Sequence, residues 1–352
     1  AADRDLAVAD LVHSAFGHAG QKCSAASLGI LVGTMYTSER FRSQLVDAAS
    51  SLVVDWPTNM SATVGPLTEQ PSDKLRHALT QLEPGERWLL EPKPLDDSGR
   101  LWRPGIKEGV QPGSFFHLTE VFGPVLGLMK ADDLEQAIEY QNAVEFGLTG
   151  GIQSLDIDEV RTWVDAVEVG NVYVNRGITG AIVERQSFGG WKKSSVGLGS
   201  KAGGPNYVML MGQWSDQPAK DAPVKSSPLI NKWTDTLSPD DITWLEQANA
   251  SDARAWTSEF GTPRDPSGLE AEANIFRYRP AKVVLRIADD AEPREVARAV
   301  LAARRAGAEL TVMVGPGVGG GVREVLADAS TSVETIDDAV FITRLLRGDY
   351  DD

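Results

Sequence analysis

Cys23 is the residue of this chain with the most evident chemical potential. It lies in the segment GQKCSA, where Gly20 frees the backbone before it and small residues follow it. A cysteine is a useful nucleophile as the thiolate, which forms near a helix N-terminus or a positive group. The alternative for a lone cysteine is a small buried hydrophobic residue. Cys23 taken alone favours that alternative, so the assignment of Cys23 as a nucleophile depends on the other motifs of the chain.

Two glycine-rich stretches are further candidates for binding. From about residue 177 to 205 glycine is dense, and a long ordered loop of this kind usually has a functional reason, since it costs backbone entropy. GPGVGG (315–320) fits the dinucleotide pattern G-x-G-x-x-G between a predicted strand and helix. That pattern expects an acid about 20 residues later, and Glu334 and Asp337 both come too early. We therefore favour a structural role for GPGVGG over nucleotide binding.

Composition excludes several classes of protein. The 352 residues carry a formal charge of −16, which argues against nucleic acid or an anionic membrane as partner. A single cysteine cannot form an internal disulfide, so a secreted, disulfide-stapled scaffold is excluded. No apolar run has the length needed to span a bilayer. We expect a soluble cytoplasmic protein without a metal site.

The elements that must position these residues alternate between strands and helices. Apolar runs at 28–33 and 171–175 predict strands, and helical spacing predicts helices at 2–16, 40–53 and 156–167. Such alternation is typical of an α/β fold with a mostly parallel sheet.

Three parts of the chain differ in composition. Residues 1–214 contain the cysteine and the first glycine-rich stretch. Residues 215–270 are richer in Asp, Ser, Pro and Lys, which predicts a linker or an extended flap. Residues 271–352 show a regular β-α-β-α-β-α pattern, which predicts a smaller Rossmann-like α/β domain.

Motifs that follow Cys23 in order lead to a specific interpretation. They are VGPL (64–67), TEVFGPV (119–125), FGLTGGIQS (146–154), GNVYVN (170–175) and SFGGWKKSSVG (187–197). With GQKCSA, they resemble the motifs of the aldehyde dehydrogenase superfamily. The resemblance covers residues 1 to about 214 and implies that they form the family's catalytic domain, a three-layer α/β/α fold.

The same resemblance implies an NAD-dependent enzyme with Cys23 as its nucleophile. The cysteine would attack an aldehyde to form a thiohemiacetal and then a thioester, which water hydrolyses. Glu120 matches the residue that binds the nicotinamide ribose, a task suited to a carboxylate because it can accept both hydroxyl hydrogen bonds. Phe122 matches the ring that packs near the nicotinamide.

A narrower resemblance concerns the substrate. KCSA, NRGITGA and SFGG resemble the L-glutamate γ-semialdehyde (1-pyrroline-5-carboxylate) dehydrogenases, which act in proline catabolism. It implies that Ser24 and the N–H groups of Gly180 and Ala181 hold the substrate α-carboxylate, since adjacent N–H groups in a turn form an anion-binding nest. Phe188 would pack on the aliphatic stem of the substrate, which is oxidised to glutamate.

The resemblance also implies that parts of the enzyme precede Ala1. The family's NAD-binding domain, oxyanion asparagine and general-base glutamate lie further upstream of the cysteine than the 22 residues present here. We therefore expect an incomplete NAD site and a fragment that is inactive alone. Its partners would be the missing N-terminal domains of the same chain.

The C-terminal part has a resemblance of its own. EANIFRYRPAKVVLRI (272–287) resembles the C-terminal domain of proline utilisation A proteins, which fuse proline dehydrogenase to glutamate semialdehyde dehydrogenase. It implies a structural role for 271–352, and FAD only in an upstream proline dehydrogenase domain. We also expect a homo-oligomer.

Two alternatives remain open. The chain could be a non-catalytic scaffold or assembly module that keeps the aldehyde dehydrogenase fold, or an aldehyde dehydrogenase for another substrate. Retention of Cys23, Glu120 and the Gly180–Ala181 pair favours the enzyme, because a scaffold does not need them.

Overall fold

Two compact units make up the part of the chain that the structure describes. The computed structural model describes residues 2–195, 199–213, 215 and 228–350. Contacts divide the chain into unit 1, Ala1–Gly212, and unit 2, Gln213–Asp352. The end of the motif 187–197 and residues 216–227 of the predicted linker lie outside the described residues.

Helices of unit 1 begin at side chains that cap them. Asp3, Ser38, Ser72, Asp133 and Asp156 each accept a backbone N–H from the first turn of the following helix. Such caps satisfy donors that have no partner within the helix. The helices are α1 (Arg4–Phe16), α2 (Glu39–Ser50), α3 (Asp73–Thr80), α4 (Phe115–Leu118), α5 (Leu134–Asn142) and α6 (Ile157–Ala166).

Ten strands are described in unit 1. They are β1 (Leu28–Val32), β2 (Arg87–Leu90), β3 (Lys93–Pro94), β4 (Trp102–Arg103), β5 (Gly105–Val110), β6 (Val125–Ala131), β7 (Phe146–Gly147), β8 (Thr149–Ile152), β9 (Asn171–Val174) and β10 (Trp191–Lys192). The largest sheet has the order β1-β6-β5-β2, with β1, β6 and β5 parallel and β2 antiparallel at the edge. Strands β8 and β9 form a separate parallel pair.

The core of unit 1 lies between this sheet and its helices. Strand residues Ile106, Leu126 and Leu128 are completely buried, and Phe16 of α1 and Leu45 of α2 join the same cluster. Apolar side chains on both faces of the central strands match the continuous apolar runs of a covered parallel sheet. The predicted α/β fold with helices packed on a mainly parallel sheet is confirmed.

The sheet brings two of the motif segments to one edge. The segment with Cys23 precedes β1, and the segment 119–123 precedes β6. Because β1 and β6 are parallel neighbours, with Leu28 opposite Gly127, both segments enter the sheet at its amino end.

Unit 2 is a small α/β unit with its own core. A parallel sheet has the order β11-β12-β13, and α9 and α10 connect its strands. The elements are α7 (Pro228–Asn231), α8 (Pro239–Ala255), β11 (Val283–Ile287), α9 (Pro293–Ala306), β12 (Leu310–Val314), α10 (Gly320–Ala329), β13 (Ser332–Thr335) and α11 (Asp338–Arg347). This order matches the predicted strand–helix alternation.

The structure corrects the prediction of a linker or flap at 215–270. From residue 228 onward the described part of this stretch contains α7 and α8, and Ile230, Trp233 and Leu245 are buried in the core of unit 2. Some of the polar residues that led to the prediction of a linker form the start of α8. Ser238 caps α8 and Pro239 occupies its first turn, and both residue types are favoured there.

The glycine-rich turn 315–320 is occupied by the protein's own side chains. Gly317 N–H donates to Asp289 Oδ1 at 2.8 Å, and a Cβ on Gly315 would lie 2.0 Å from that oxygen. Arg323 donates to the carbonyl of Gly315 at 2.6 Å. A phosphate at this turn would meet the carboxylate of Asp289, so the geometry favours the structural role predicted for GPGVGG.

Candidate active site

A tight left-handed turn leads from α1 to the segment of Cys23. After Gly17, residues His18, Ala19 and Gly20 have φ values of 55°, 54° and 67°. A Cβ on Gly20 would lie 2.2 Å from the carbonyl oxygen of Gly123. No residue but glycine fits this close approach, so Gly20 lets the cysteine segment pack directly on the segment 119–123.

Cys23 occupies the outer side of a turn. The N–H of Ala25 donates to the carbonyl of Lys22 at 3.0 Å, which makes Cys23 and Ser24 the central residues of the turn. Cys23 is exposed, whereas Ser24 is only 5% exposed. The thiol is therefore open to a reactant, and the serine lies beneath it.

Gln21 joins the cysteine segment to two other motifs. Its Oε1 accepts the N–H of Thr68 at 2.9 Å, directly after VGPL, and its Nε2 donates to the carbonyl of Phe122 at 3.3 Å. Sequence reasoning did not single out Gln21. The only signal was its place in GQKCSA, because its partners are 47 and 101 residues away along the chain.

Glu120 and Phe122 are presented at the surface beside this contact. Glu120 is exposed, the ring of Phe122 is 37% exposed, and Val121 and Gly123 between and after them are buried. Phe122 has a φ of 60°, which is strained for an aromatic residue. A free carboxylate and an accessible ring two residues apart can hold a polar group and a flat ring.

The Gly180–Ala181 pair has the features of an anion nest. Gly180 is exposed with a φ of +83°, and nothing lies within 4 Å of the place where its Cβ would be. Among the described residues, neither N–H of the pair donates to a protein acceptor. Two adjacent unpaired N–H groups can bind a carboxylate.

Ser14 connects the nest to the cysteine segment. Its hydroxyl accepts the N–H of Ile178, two residues before Gly180, at 3.0 Å. Its carbonyl accepts the N–H of Ala26, three residues after Cys23, also at 3.0 Å. The two loops are therefore attached to one residue near the end of α1.

Phe188 lies further along the loop that carries the Gly180–Ala181 pair, and it has separate attachments. It is half-buried, and its backbone exchanges hydrogen bonds of 3.0 and 2.9 Å with Ala202. The next residue, Gly189, donates to Oδ1 of Asn171, the first residue of β9, at 3.1 Å. Gly189 is therefore attached at the amino end of β9, whereas the Gly180–Ala181 nest follows its carboxyl end. The two ends of the strand lie about 10 Å apart. The structure thus links the Cys23 segment to Glu120–Phe122 through Gln21 and Gly20, and to the segment before the nest through Ser14. Phe188 is linked to that region only through β9.

Lys201 forms hydrogen bonds that join the segment of Phe188 to the start of β9. Among the described residues its ammonium donates to the carbonyls of Gly170 and Gly189 and to Oδ1 of Asn171. Burial lowers the pKa of Lys201 to about 8. The folded pKa lies below that of the unfolded chain, so between about pH 8 and 10.5 the unfolded state binds more protons.

We expect the free energy of unfolding to rise with pH over this range because of Lys201. The rise is up to about 1.4 kcal/mol per pH unit for one proton. Urea unfolding of the wild type and Lys201→Met between pH 7 and 10.5 measures it, since other titrating groups cancel in the difference. A difference that does not vary with pH would contradict this assignment.

The described residues contain neither a metal-ligand cluster nor a membrane-spanning helix. Across residues 2–195, 199–213, 215 and 228–350, no group of three or more His, Cys, Asp or Glu residues could hold a metal ion. In the same described ranges no helix combines the length and apolar character needed to cross a membrane.

Comparisons with known proteins agree with the motifs at this site. Curated 1-pyrroline-5-carboxylate dehydrogenases from Geobacillus sp. (strain WCH70) and Bacillus subtilis (strain 168) are 38% and 36% identical to this chain over 210 residues. These matches cover 59% of this chain and 40% of each relative, so the chain spans about two fifths of their length.

Solved structures extend the similarity. Proline Utilization A (PutA) from Corynebacterium freiburgense has a TM-score of 0.81 and 48% sequence identity, over 95% of this chain and 35% of that chain. A Thermus 1-pyrroline-5-carboxylate dehydrogenase with bound NAD has a TM-score of 0.53 and 34% identity, over 59% of this chain and 40% of that chain. The model of the aldehyde dehydrogenase family matches residues 1–215. Because this match covers more than half of the residues, the chain belongs to the aldehyde dehydrogenase family.

Proposed function

We propose that this chain is the nucleophile-bearing part of an NAD-dependent dehydrogenase that oxidises L-glutamate γ-semialdehyde to glutamate. The observation that carries the proposal is the attachment of the exposed Cys23 turn and the Gly180–Ala181 nest to one residue, Ser14. An aldehyde carbon at one end of a short substrate and a carboxylate at the other require such a pair of sites. The names of the similar curated proteins support this substrate.

The reaction begins at Cys23. Its thiolate attacks the aldehyde carbon, a C–S bond forms, and the carbonyl π electrons move to oxygen as an oxyanion. As the oxyanion collapses, the C–H bond breaks and a thioester remains on Cys23. Bound NAD⁺ supplies the acceptor for that hydride. Water then adds to the thioester carbon, the C–S bond breaks, and the products are the carboxylate and the free thiol.

Glu120 and Phe122 fit the nicotinamide half of such a cofactor. The exposed carboxylate of Glu120 can accept two hydroxyl hydrogen bonds from a ribose, and the accessible ring of Phe122 offers an apolar face. We propose that Ser24, the buried residue of the cysteine turn, helps to hold the substrate carboxylate. Phe188 would pack on the aliphatic stem of the substrate.

Gln21→Glu is expected to raise KM for NAD about tenfold, because one lost hydrogen bond next to buried groups costs on the order of 1–3 kcal/mol. Glutamate keeps an oxygen for the N–H of Thr68 but opposes the carbonyl of Phe122 with a second oxygen. Steady-state kinetics with both substrates measure the effect, and KM for the semialdehyde is expected to stay within about twofold.

Gln70→Glu is the matched control for this prediction. Gln70 Nε2 also donates to a backbone carbonyl at 3.3 Å, but to that of Ser98 and not to one beside the proposed nicotinamide site. Its substitution is expected to leave KM for NAD unchanged. An equal rise of both Michaelis constants in Gln21→Glu would show that Gln21 does not act on the cofactor side.

The similarity to Proline Utilization A over 95% of this chain supports a fused parent protein. We propose an upstream proline dehydrogenase domain, with FAD bound there and not in these residues, and a structural role for unit 2. Homo-oligomer formation and a cytoplasmic location stay predictions.

The experiment that tests the proposed function uses the full-length protein that contains this sequence. NADH formation is followed with glutamate semialdehyde and with pentanal, which has the same carbon chain length but no carboxylate. We expect kcat/KM for the semialdehyde to be higher by at least about 100-fold, since the nest recognises a charge. Equal turnover of both would indicate an aldehyde dehydrogenase for another substrate, and no turnover of either would favour the scaffold.

A further inference from the structure

Ser14 lies where the end of α1 leaves backbone groups without helical partners. The helix ends at Phe16, so the carbonyl of Ser14 belongs to the last four, which have no N–H within the helix to bind. The N–H of Ala26 takes that place at 3.0 Å. Ser14 is only 3% exposed, so both its carbonyl and its hydroxyl need partners inside the protein.

The hydroxyl of Ser14 has a second and different partner. It accepts the N–H of Ile178 at 3.0 Å across 164 residues of sequence. The approach is close, because a Cβ on Gly177 would lie 3.2 Å from Ser14 Oγ, and one on Gly151 would lie 2.6 Å from Cγ2 of Ile178. Ile178 is therefore held between α1 and strand β8.

The residues just before Ile178 are also anchored, and in the described part of the chain hydrogen bonds resume only after the nest, where the N–H of Ile182 donates to Gln186. Asn175 exchanges two hydrogen bonds with the backbone of Ser154, at 2.9 and 2.8 Å. Gly180 is exposed and has nothing near its Cβ position. Among the described residues Ile178 is thus the last hydrogen-bonded one before the Gly180–Ala181 nest, with only the buried Thr179 between them, and its position sets where the nest begins.

We propose that Ser14 is a positioning residue that makes the enzyme specific for aldehydes that carry a carboxylate at the opposite end of the molecule, as glutamate semialdehyde does. It sets the distance between the nucleophile and the nest, holding Cys23's segment through a backbone carbonyl and the nest's segment through a side-chain hydroxyl. The inference rests on the proposed function of Cys23 and the Gly180–Ala181 pair.

One attachment uses the backbone carbonyl of Ser14 and the other its side-chain hydroxyl, so a substitution can remove one and keep the other. Substitution of Ser14 can remove the hydroxyl contact to Ile178 but not the carbonyl contact to Ala26. Loss of the hydroxyl leaves the N–H of Ile178 without its acceptor, which destabilises the native position of the loop. The nest is displaced, while the nucleophile stays attached to α1.

Ser14→Ala in the full-length protein tests the proposal. We expect KM for glutamate semialdehyde to rise about tenfold with kcat reduced less, the loss typical of one hydrogen bond. For pentanal, kcat/KM is expected to stay within about twofold, because no carboxylate reaches the nest. Alkylation of Cys23 by iodoacetamide is expected to proceed at the wild-type rate.

Ser14→Thr is the conservative companion, since it keeps a hydroxyl at the same position, and it is expected to restore KM for the semialdehyde. Ser14→Ala removes a single atom and decides the question alone if threonine does not fit. An equal loss with semialdehyde and pentanal, or no loss with either, would overturn the proposal. A wild type that prefers pentanal would instead overturn the proposed function.

Discussion

Cys23→Ser is expected to lower kcat for NAD-dependent oxidation of glutamate semialdehyde by a factor on the order of 10³ to 10⁶, the loss found when an enzyme's nucleophile is removed. A serine hydroxyl is a poor nucleophile without an adjacent base, whereas a thiol is partly ionised near neutral pH. A serine adduct would also form an ester in place of a thioester. The measurement is single-turnover and steady-state NADH formation in the full-length protein.

Cys23 also allows a chemical test, because it is the only cysteine among the 352 residues. Iodoacetamide is expected to modify Cys23 in the wild type, as read from the peptide that contains it, and to abolish activity in parallel. In Cys23→Ser no residue of this sequence should be modified. NAD affinity measured by titration should be equal in the two proteins, which shows that the fold is intact. Activity that survives either treatment to within about tenfold would exclude Cys23 as nucleophile.

Lys107→Met is expected to lower the free energy of unfolding by about 3–5 kcal/mol, the usual cost of leaving one partner of a buried ion pair unpaired. Lys107 of β5 and Glu86 before β2 have side chains only 2% and 1% exposed, with Nζ and Oε2 2.9 Å apart. The ammonium also donates to the carbonyl of Gln81 at 3.0 Å and lies over the rings of Trp88 and Phe116. Without it, the Glu86 carboxylate would be buried without its counter-ion.

The measurement is urea unfolding, with hydrogen exchange of the peptide that contains β5 to locate the effect in unit 1. Adding Glu86→Leu to Lys107→Met should recover most of the loss, because replacing a whole buried pair with apolar residues is often nearly neutral. Lys130→Met is the control. Its exposed pair with Asp132, 2.5 Å apart, should contribute less than about 1 kcal/mol. Similar losses in both single variants would contradict the role assigned to burial.

Local structure was predictable because its causes are local. The helices predicted at 2–16 and 156–167 are confirmed as Arg4–Phe16 and Ile157–Ala166, since spacing and capping residues lie within each segment. The same capping signals at Ser238 and Pro239 were present in the stretch predicted as a linker. The polar composition of that stretch led to the prediction of a linker in spite of these signals. The burial of Trp233 could not be foreseen locally, because the residues that pack on it come from elsewhere in unit 2.

The sequence by itself determined the chemistry available to this protein: the thiol of Cys23, the carboxylate of Glu120, the glycine at position 20 and the family to which their motifs belong. Only the tertiary structure decided how these groups are held. Gln21 meets Phe122, and Ser14 meets Ile178, across 101 and 164 residues. No periodicity or spacing encodes such a contact, because a hydrogen bond depends on two atoms about 3 Å apart, and only the packed sheet brings them there.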